Sequence, residues 1–170
     1  KEMILNLYFK KYPDVLGRIL GVDLTRIELE IPHGRKKIDF YAVSKDKRVE
    51  IFVENQLSPS DEAHLKEKIM PILQSLQEGI VVWTAQRFDT AHLSAVKAFL
   101  KANSQKYVNF YGLELHPEVI KQVEILDNLS PLNIWSNLWR INKVAQPLNM
   151  VYRHEQMPSM HVGRVYVGEY

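Results

Sequence analysis

Residues 37–56, KIDFYAVSKDKRVEIFVENQ, hold two strands around one turn. Lys37–Val43 and Val49–Glu54 are rich in β-branched and aromatic residues, and Ser44-Lys45-Asp46-Lys47 between them is polar. A connection this short makes the pair antiparallel. Asp39 interrupts the apolar run of the first strand, where a carboxylate is costly unless something cationic meets it. Glu54 ends the second. Side chains alternate faces along a strand, so Lys37 shares a face with Asp39, and Glu54 with Gln56. Antiparallel neighbours bring Asp39 and Glu54 to one end of the sheet. Two carboxylates there repel, and a shared hard cation such as Mg²⁺ is the usual remedy.

Upstream, apolar residues recur at helical spacing from Met3 to Leu20, with Pro13 dividing two pieces and Gly21 stopping the second. Ile27–Ile31 alternates with period two, as a strand does, and His33-Gly34-Arg35 turns it into the next. Downstream, Ser58-Pro59-Ser60-Asp61-Glu62 carries helix-start chemistry, and that helix runs toward Gly79 past Pro71. Ile80–Thr84 is a continuous apolar run of the buried-strand type, Thr90–Ala102 an amphipathic helix, and Tyr107–Leu115 a further strand. Helices between strands imply parallel pairing. The order is α-β-β-β-α-β-α-β, which predicts an α/β fold with a mixed sheet flanked by helices.

Beyond Pro117 the pattern is weaker. Val119–Leu126 suits a short helix or a strand, Leu132–Ile141 a helix with Trp135 and Trp139 on one face as packing anchors, and Val162–Val167 a strand. We divide the chain into a core over 1–130 and a C-terminal extension over 131–170 that docks on the core or on a partner.

Composition narrows the chemistry. One domain fits 170 residues, and 46% hydrophobic content supplies a core. Twenty-two Lys and Arg against twenty Asp and Glu exclude a strongly basic coater of nucleic acid. The absence of Cys excludes disulfides, thiolate metal sites and thiol catalysis, and agrees with a reducing, cytoplasmic setting. No apolar run approaches the ~18 residues of a membrane span. P-loop, dinucleotide and zinc-protease spacings are absent.

At this point the residues resemble a known family. Gly34…Asp39 followed by Glu54-Asn55-Gln56 resembles the PD-(D/E)XK nuclease superfamily. The later pieces Asp61-x-x-His64-Leu65, Val82-Trp83 and Arg87-Phe88-x-x-x-His92 look like an uncharacterised bacterial branch, in which an ENQL strand end leads into a D-x-x-HL helix. The resemblance covers roughly residues 24–116. It implies a restriction-endonuclease-like αβββαβ core with additional C-terminal elements, and metal-dependent hydrolysis of phosphodiesters in nucleic acid, DNA more than RNA. It makes Asp39 and Glu54 ligands of Mg²⁺ or Mn²⁺, with the backbone carbonyl of Asn55 as a further oxygen and Glu30 as a third acid near the ion. Gln56 stands where the superfamily places lysine. An amide orients water but brings no charge, so Lys37 is the candidate replacement cation.

Arg35 and Lys36, beside Lys37, form a basic turn suited to a phosphate backbone, and His64 is a candidate phosphate contact next to Gln56. Plainer readings stand beside these. Asp39 pairs with Arg35 or Lys37, Glu28 and Glu30 form a solvated strand face, Asp61 and His64 cap a helix, Arg87 and His92 fix the start of another, and Trp83 belongs to the core. The alternative to a nuclease is a catalytically silent module for nucleic-acid binding or assembly, a homo-oligomer or a subunit of a larger defence or mobile-element system.

Overall fold

A computed structural model of the chain describes residues 1–46 and 48–158. Helices α1 (Glu2–Lys11) and α2 (Asp14–Leu20) lead into strands β1 (Leu24–His33), β2 (Lys36–Ser44) and β3 (Glu50–Asn55). Gly21 closes α2 at φ 78°, a left-handed value that costs glycine nothing. Gly34 makes the β1–β2 turn in the same way, at φ 62°.

A helix over residues 62–75 follows, made of α3 (Glu62–His64), a π-helical turn (Leu65–Ile69) and α4 (Met70–Ser75). Pro71 has no N–H, and its ring would meet the carbonyl four residues back in a regular α-helix, so the widened turn falls just before it. Then come β4 (Glu78–Ala85), α5 (Thr90–Ala102), β5 (Tyr107–Leu115), α6 (Pro117–Leu126), α7 (Pro131–Asn137), α8 (Trp139–Asn142) and β6 (Leu148–Glu155). Asp89 caps α5 by accepting from Ala91 N at 2.9 Å, and His116 caps α6 by accepting from Glu118 N at 3.0 Å.

The six strands lie in sequence order in one mixed sheet. β1, β2 and β3 form an antiparallel meander, β3, β4 and β5 run parallel, and β6 closes the far edge antiparallel to β5. This mixed sheet flanked by helices, with its α-β-β-β-α-β start, is the arrangement expected from the sequence. One face buries Phe40, Ile51, Val53, Ile80 and Val82 against α1 and α2, with Phe9 edge-on to Phe40 at 6.2 Å. The other buries Val81, Trp83 and Phe110 under Ile69, Leu73, Val96 and Leu100. No helix among the described residues is long and apolar enough to cross a membrane.

Among the C-terminal elements one open expectation is resolved, one strand is new, and one reading is corrected. The segment over 117–126 is a helix, and β6 is an edge strand that no clear alternation announces, since most of its side chains are exposed. The expected strand Val162–Val167 lies outside the described residues. Trp135 and Trp139 are not packing anchors. Leu138 and Ile141 take the core-facing stripe, with Ile134 packed beside them, and leave the two indoles 40% and 42% exposed. Both stripes of this segment are apolar, so periodicity found the helix without finding its inner face.

Candidate active site

The register Phe40–Val53 makes Asp39 and Glu54 the next facing pair at the end of the β2–β3 ladder. Asp39 N donates to Glu54 Oε1 at 3.2 Å, and Asn55 N donates to Asp39 Oδ2 at 2.9 Å. The Asp39 charge beside Glu54 also opposes ionisation of the second carboxyl. Burial is the main force on both. It raises the Asp39 carboxyl above its usual range against the hydrogen bonds that favour its charge. It lifts Glu54, only 2% exposed, to about 8, with the neighbouring Asp39 charge adding to the rise.

Lys68, from the π-helical turn, pulls both carboxyls back down. Its Nζ donates to the Lys37 carbonyl at 3.1 Å. With Lys37, Ile38, Glu54 and Pro71 it lines a cleft of about 280 Å³, whose rim is the β1–β2 turn bearing Arg35 and Lys36. Lys36 pairs with Glu67 at 3.2 Å on that rim. Lys37 therefore contributes a carbonyl and an exposed side chain, whereas the positive charge that acts on both carboxyls comes from Lys68. The sequence carried a signal for it: Asp61, His64 and Lys68 stand at i, i+3 and i+7, one helical face.

Gln56 has another occupation from the one expected. It is fully buried, and its Nε2 donates within reach of Pro59 O at 2.7 Å, Asp61 Oδ2 at 3.0 Å and Ser58 Oγ at 3.2 Å. Its Oε1 accepts from Trp83 Nε1 at 3.1 Å. An amide with both ends so engaged braces the 56–61 loop against the core and has nothing left to orient a water. His64 N donates to Asp61 Oδ1 at 2.7 Å, and its Nδ1 lies 3.0 Å from the same oxygen, which is helix capping. His92 ties the same loop to α5, with Nδ1 2.8 Å from Ser60 Oγ.

Glu30 does not join the acids. The β1–β2 ladder passes from Leu29–Phe40 to Ile31–Ile38 around it, and its φ of 53° takes it out of extended backbone. Among the described residues no three His, Asp or Glu side chains converge as a metal cluster. What remains suits a hard cation that keeps several waters: two carboxylates, with the side chain of Asn55 locked between Asn6 Oδ1 at 2.6 Å and Thr84 Oγ1 at 2.7 Å. Two neighbouring acids held away from water are costly when both are charged, and a cation is one group that would relieve that cost.

No protein-family model matches the sequence, and no curated protein matches it. Among solved structures, a repair endonuclease from Pyrococcus abyssi aligns with TM-score 0.41 and 20% identity over 66% of this chain and 46% of that one. Pyrococcus furiosus SfsA in complex with Ca²⁺ aligns with TM-score 0.37 and 18% identity, over 65% and 57% respectively. The chain spans about half the length of each.

Proposed function

We propose that this chain is a phosphodiesterase of the PD-(D/E)XK type, acting on nucleic acid, on DNA in preference to RNA. The observation that carries the reading is the facing pair of half-buried Asp39 and buried Glu54, with Glu54 lining a basic cleft. Asp39, Glu54 and the carbonyl of Asn55 would hold Mg²⁺ or Mn²⁺. Such an ion, when bound, makes water acidic and offsets charge on a reacting phosphoryl group.

The chain's own residues then have distinct tasks. Asp39 and Glu54 would have to be ionised to bind a cation, which their raised affinities for protons oppose and higher pH favours. Arg35, Lys36 and Lys37 grip the phosphate backbone from the turn. Lys68 supplies the fixed positive charge beside the acids that Gln56 cannot. The loop over 56–61, braced by Gln56, holds the end of β3 in place.

Incubation with single- and double-stranded DNA and RNA, with Mg²⁺ or Mn²⁺ and with chelator, tests this reading. Cleavage needs the metal and falls about a thousandfold in Asp39→Ala and in Glu54→Ala. Persistence in both variants rejects the site. One observation favours a second reading, a nuclease fold that binds without cutting: the residue in the lysine position is consumed by internal hydrogen bonds. Binding without cleavage under every metal would select it.

A further inference from the structure

Away from the acidic cleft, the C-terminal helices present a surface that packing does not explain. Trp135 and Trp139 are 40% and 42% exposed, while Trp83 is fully buried. Each exposed indole is attended by cations. Lys11 Nζ lies 5.1 Å from the Trp135 ring centre, and it donates to the Trp135 carbonyl at 2.7 Å. The Arg140 guanidinium lies 5.0 Å from the Trp139 ring, and Lys143 Nζ 5.3 Å from it. Trp139, Arg140 and Lys143 form one wall of a groove of about 240 Å³, opposite Glu118 and Gln122.

The charge here is one-sided. No acidic residue stands between Asp127 and Glu155, a stretch that holds Arg140, Lys143 and Arg153. Glu118, the acid of the groove, accepts from Gln122 Nε2 at 2.8 Å. Flat aromatic faces interleaved with cations, and almost free of competing carboxylates, match stacked bases joined by phosphates. A protein partner docking on tryptophan alone would not call for this cationic surround.

The surface is also tied to the acidic cleft by one rigid element. Near the N-terminus of α1, Glu2 Oε2 accepts from Leu57 N at 3.4 Å and Asn6 meets Asn55 at 2.6 Å. At its C-terminus Lys11 holds Trp135. At ~1.5 Å per residue, α1 separates the two contacts by roughly 14 Å.

We propose that Trp135 and Trp139, with Lys11, Arg140 and Lys143, form a stacking platform for single-stranded nucleic acid, a second anchor beside the acidic cleft. The inference rests on the nucleic-acid reading above and adds to it the substrate class, a strand with unpaired bases.

The two exposed indoles report on the surface directly, because the third tryptophan is buried. In chelator, titration of the full chain with a short oligo(dT), and separately with an oligo(rU) of equal length, quenches tryptophan emission in a saturable way. A preference between the two arms identifies the sugar, and saturable quenching by either supports the platform. Trp139→Ala and Trp135→Ala each weaken binding about tenfold. The pair Arg140→Glu and Lys143→Glu, which keeps both indoles, weakens it further and flattens its salt dependence. The proposal fails if these variants bind as tightly as the unmodified chain. It also fails if duplex alone quenches, or if the surface proves to be a self-association face, centred on the exposed Leu132, that oligonucleotides do not compete for. Quenching without metal-dependent cleavage retains the platform and rejects the nuclease. Cleavage with platform variants that bind normally does the reverse.

Discussion

Two polar clusters sit next to each other at the end of β3, and they are built on opposite terms. In the cluster of Gln56, Asp61, His64 and Trp83, every polar group in it that is buried has a partner. Burial works against the Asp61 carboxyl, but hydrogen bonds from His64 and Gln56 outweigh it and hold its pKa below the usual range. In the cluster of Asp39 and Glu54, a half-buried acid faces a buried one, and hydrogen bonds and Lys68 together do not make up the loss of water. A satisfied network stabilises a fold; a pair of acids held away from water costs stability once both are charged and is kept where a ligand repays it. The difference separates scaffold from site more clearly than residue type does, since both clusters contain a carboxylate.

Breaking the satisfied cluster has the largest expected effect on stability. Gln56→Ala leaves Trp83 Nε1 without its acceptor in the core and frees the 56–61 loop, at a cost of about 3 kcal/mol in denaturant unfolding. A near-neutral result would mean that water replaces the amide and that the loop is not braced by it.

The acidic pair behaves in the opposite sense. The folded-state value of Glu54, about 8, lies above its ordinary value of 4.5. Its contribution is favourable below about pH 4.5 and is lost as pH rises toward 8. Metal-free protein is therefore less stable at pH 8 than at pH 5 through this pair. Glu54→Gln removes that slope and stabilises the protein at pH 8 by on the order of 2 kcal/mol. Thermal melts across this range check it, and addition of Mn²⁺ at pH 8 raises the midpoint of the unmodified chain alone. A slope that survives Glu54→Gln assigns the pH dependence elsewhere.

Lys68→Met gives the smallest effect, because the side chain is half-exposed and solvent screens it. Loss of its charge moves Glu54 and Asp39 still higher, so the pH at which Mn²⁺ begins to stabilise the protein shifts upward, while Lys37→Met leaves it in place. Equal shifts in the two variants would restore Lys37 to the role first expected of it.

Much of this was legible in the sequence. The antiparallel pair, the buried strand over 80–84 and the helix over 90–102 follow from alternation, apolar runs and caps, and β5 emerged with the expected bounds. Those signals are local: each is written within one segment by the spacing of its apolar side chains. Asp39 and Glu54 were brought out by the same means, because strand parity and a short turn fix which residues meet. Gln56, Lys68 and Glu30 could not be sorted that way. Whether an amide is free depends on Trp83 and Asp61, which other segments deliver, and whether a lysine reaches an acid depends on how the helix over 62–75 lies across the sheet.

The helical segment over 131–142, α7 and α8, shows the same boundary from the other side. Its spacing fixed that it is helical, and its composition fixed that it carries tryptophan and no acid. Which stripe turns inward was decided only by the surface it lands on, where Leu138 and Ile141 fill the core face beside α1 and α6 and the indoles remain outside. Periodicity is a property of one segment, but burial is a property of two, and the surroundings of Gln56, Lys68 and the two indoles come from elsewhere in the chain.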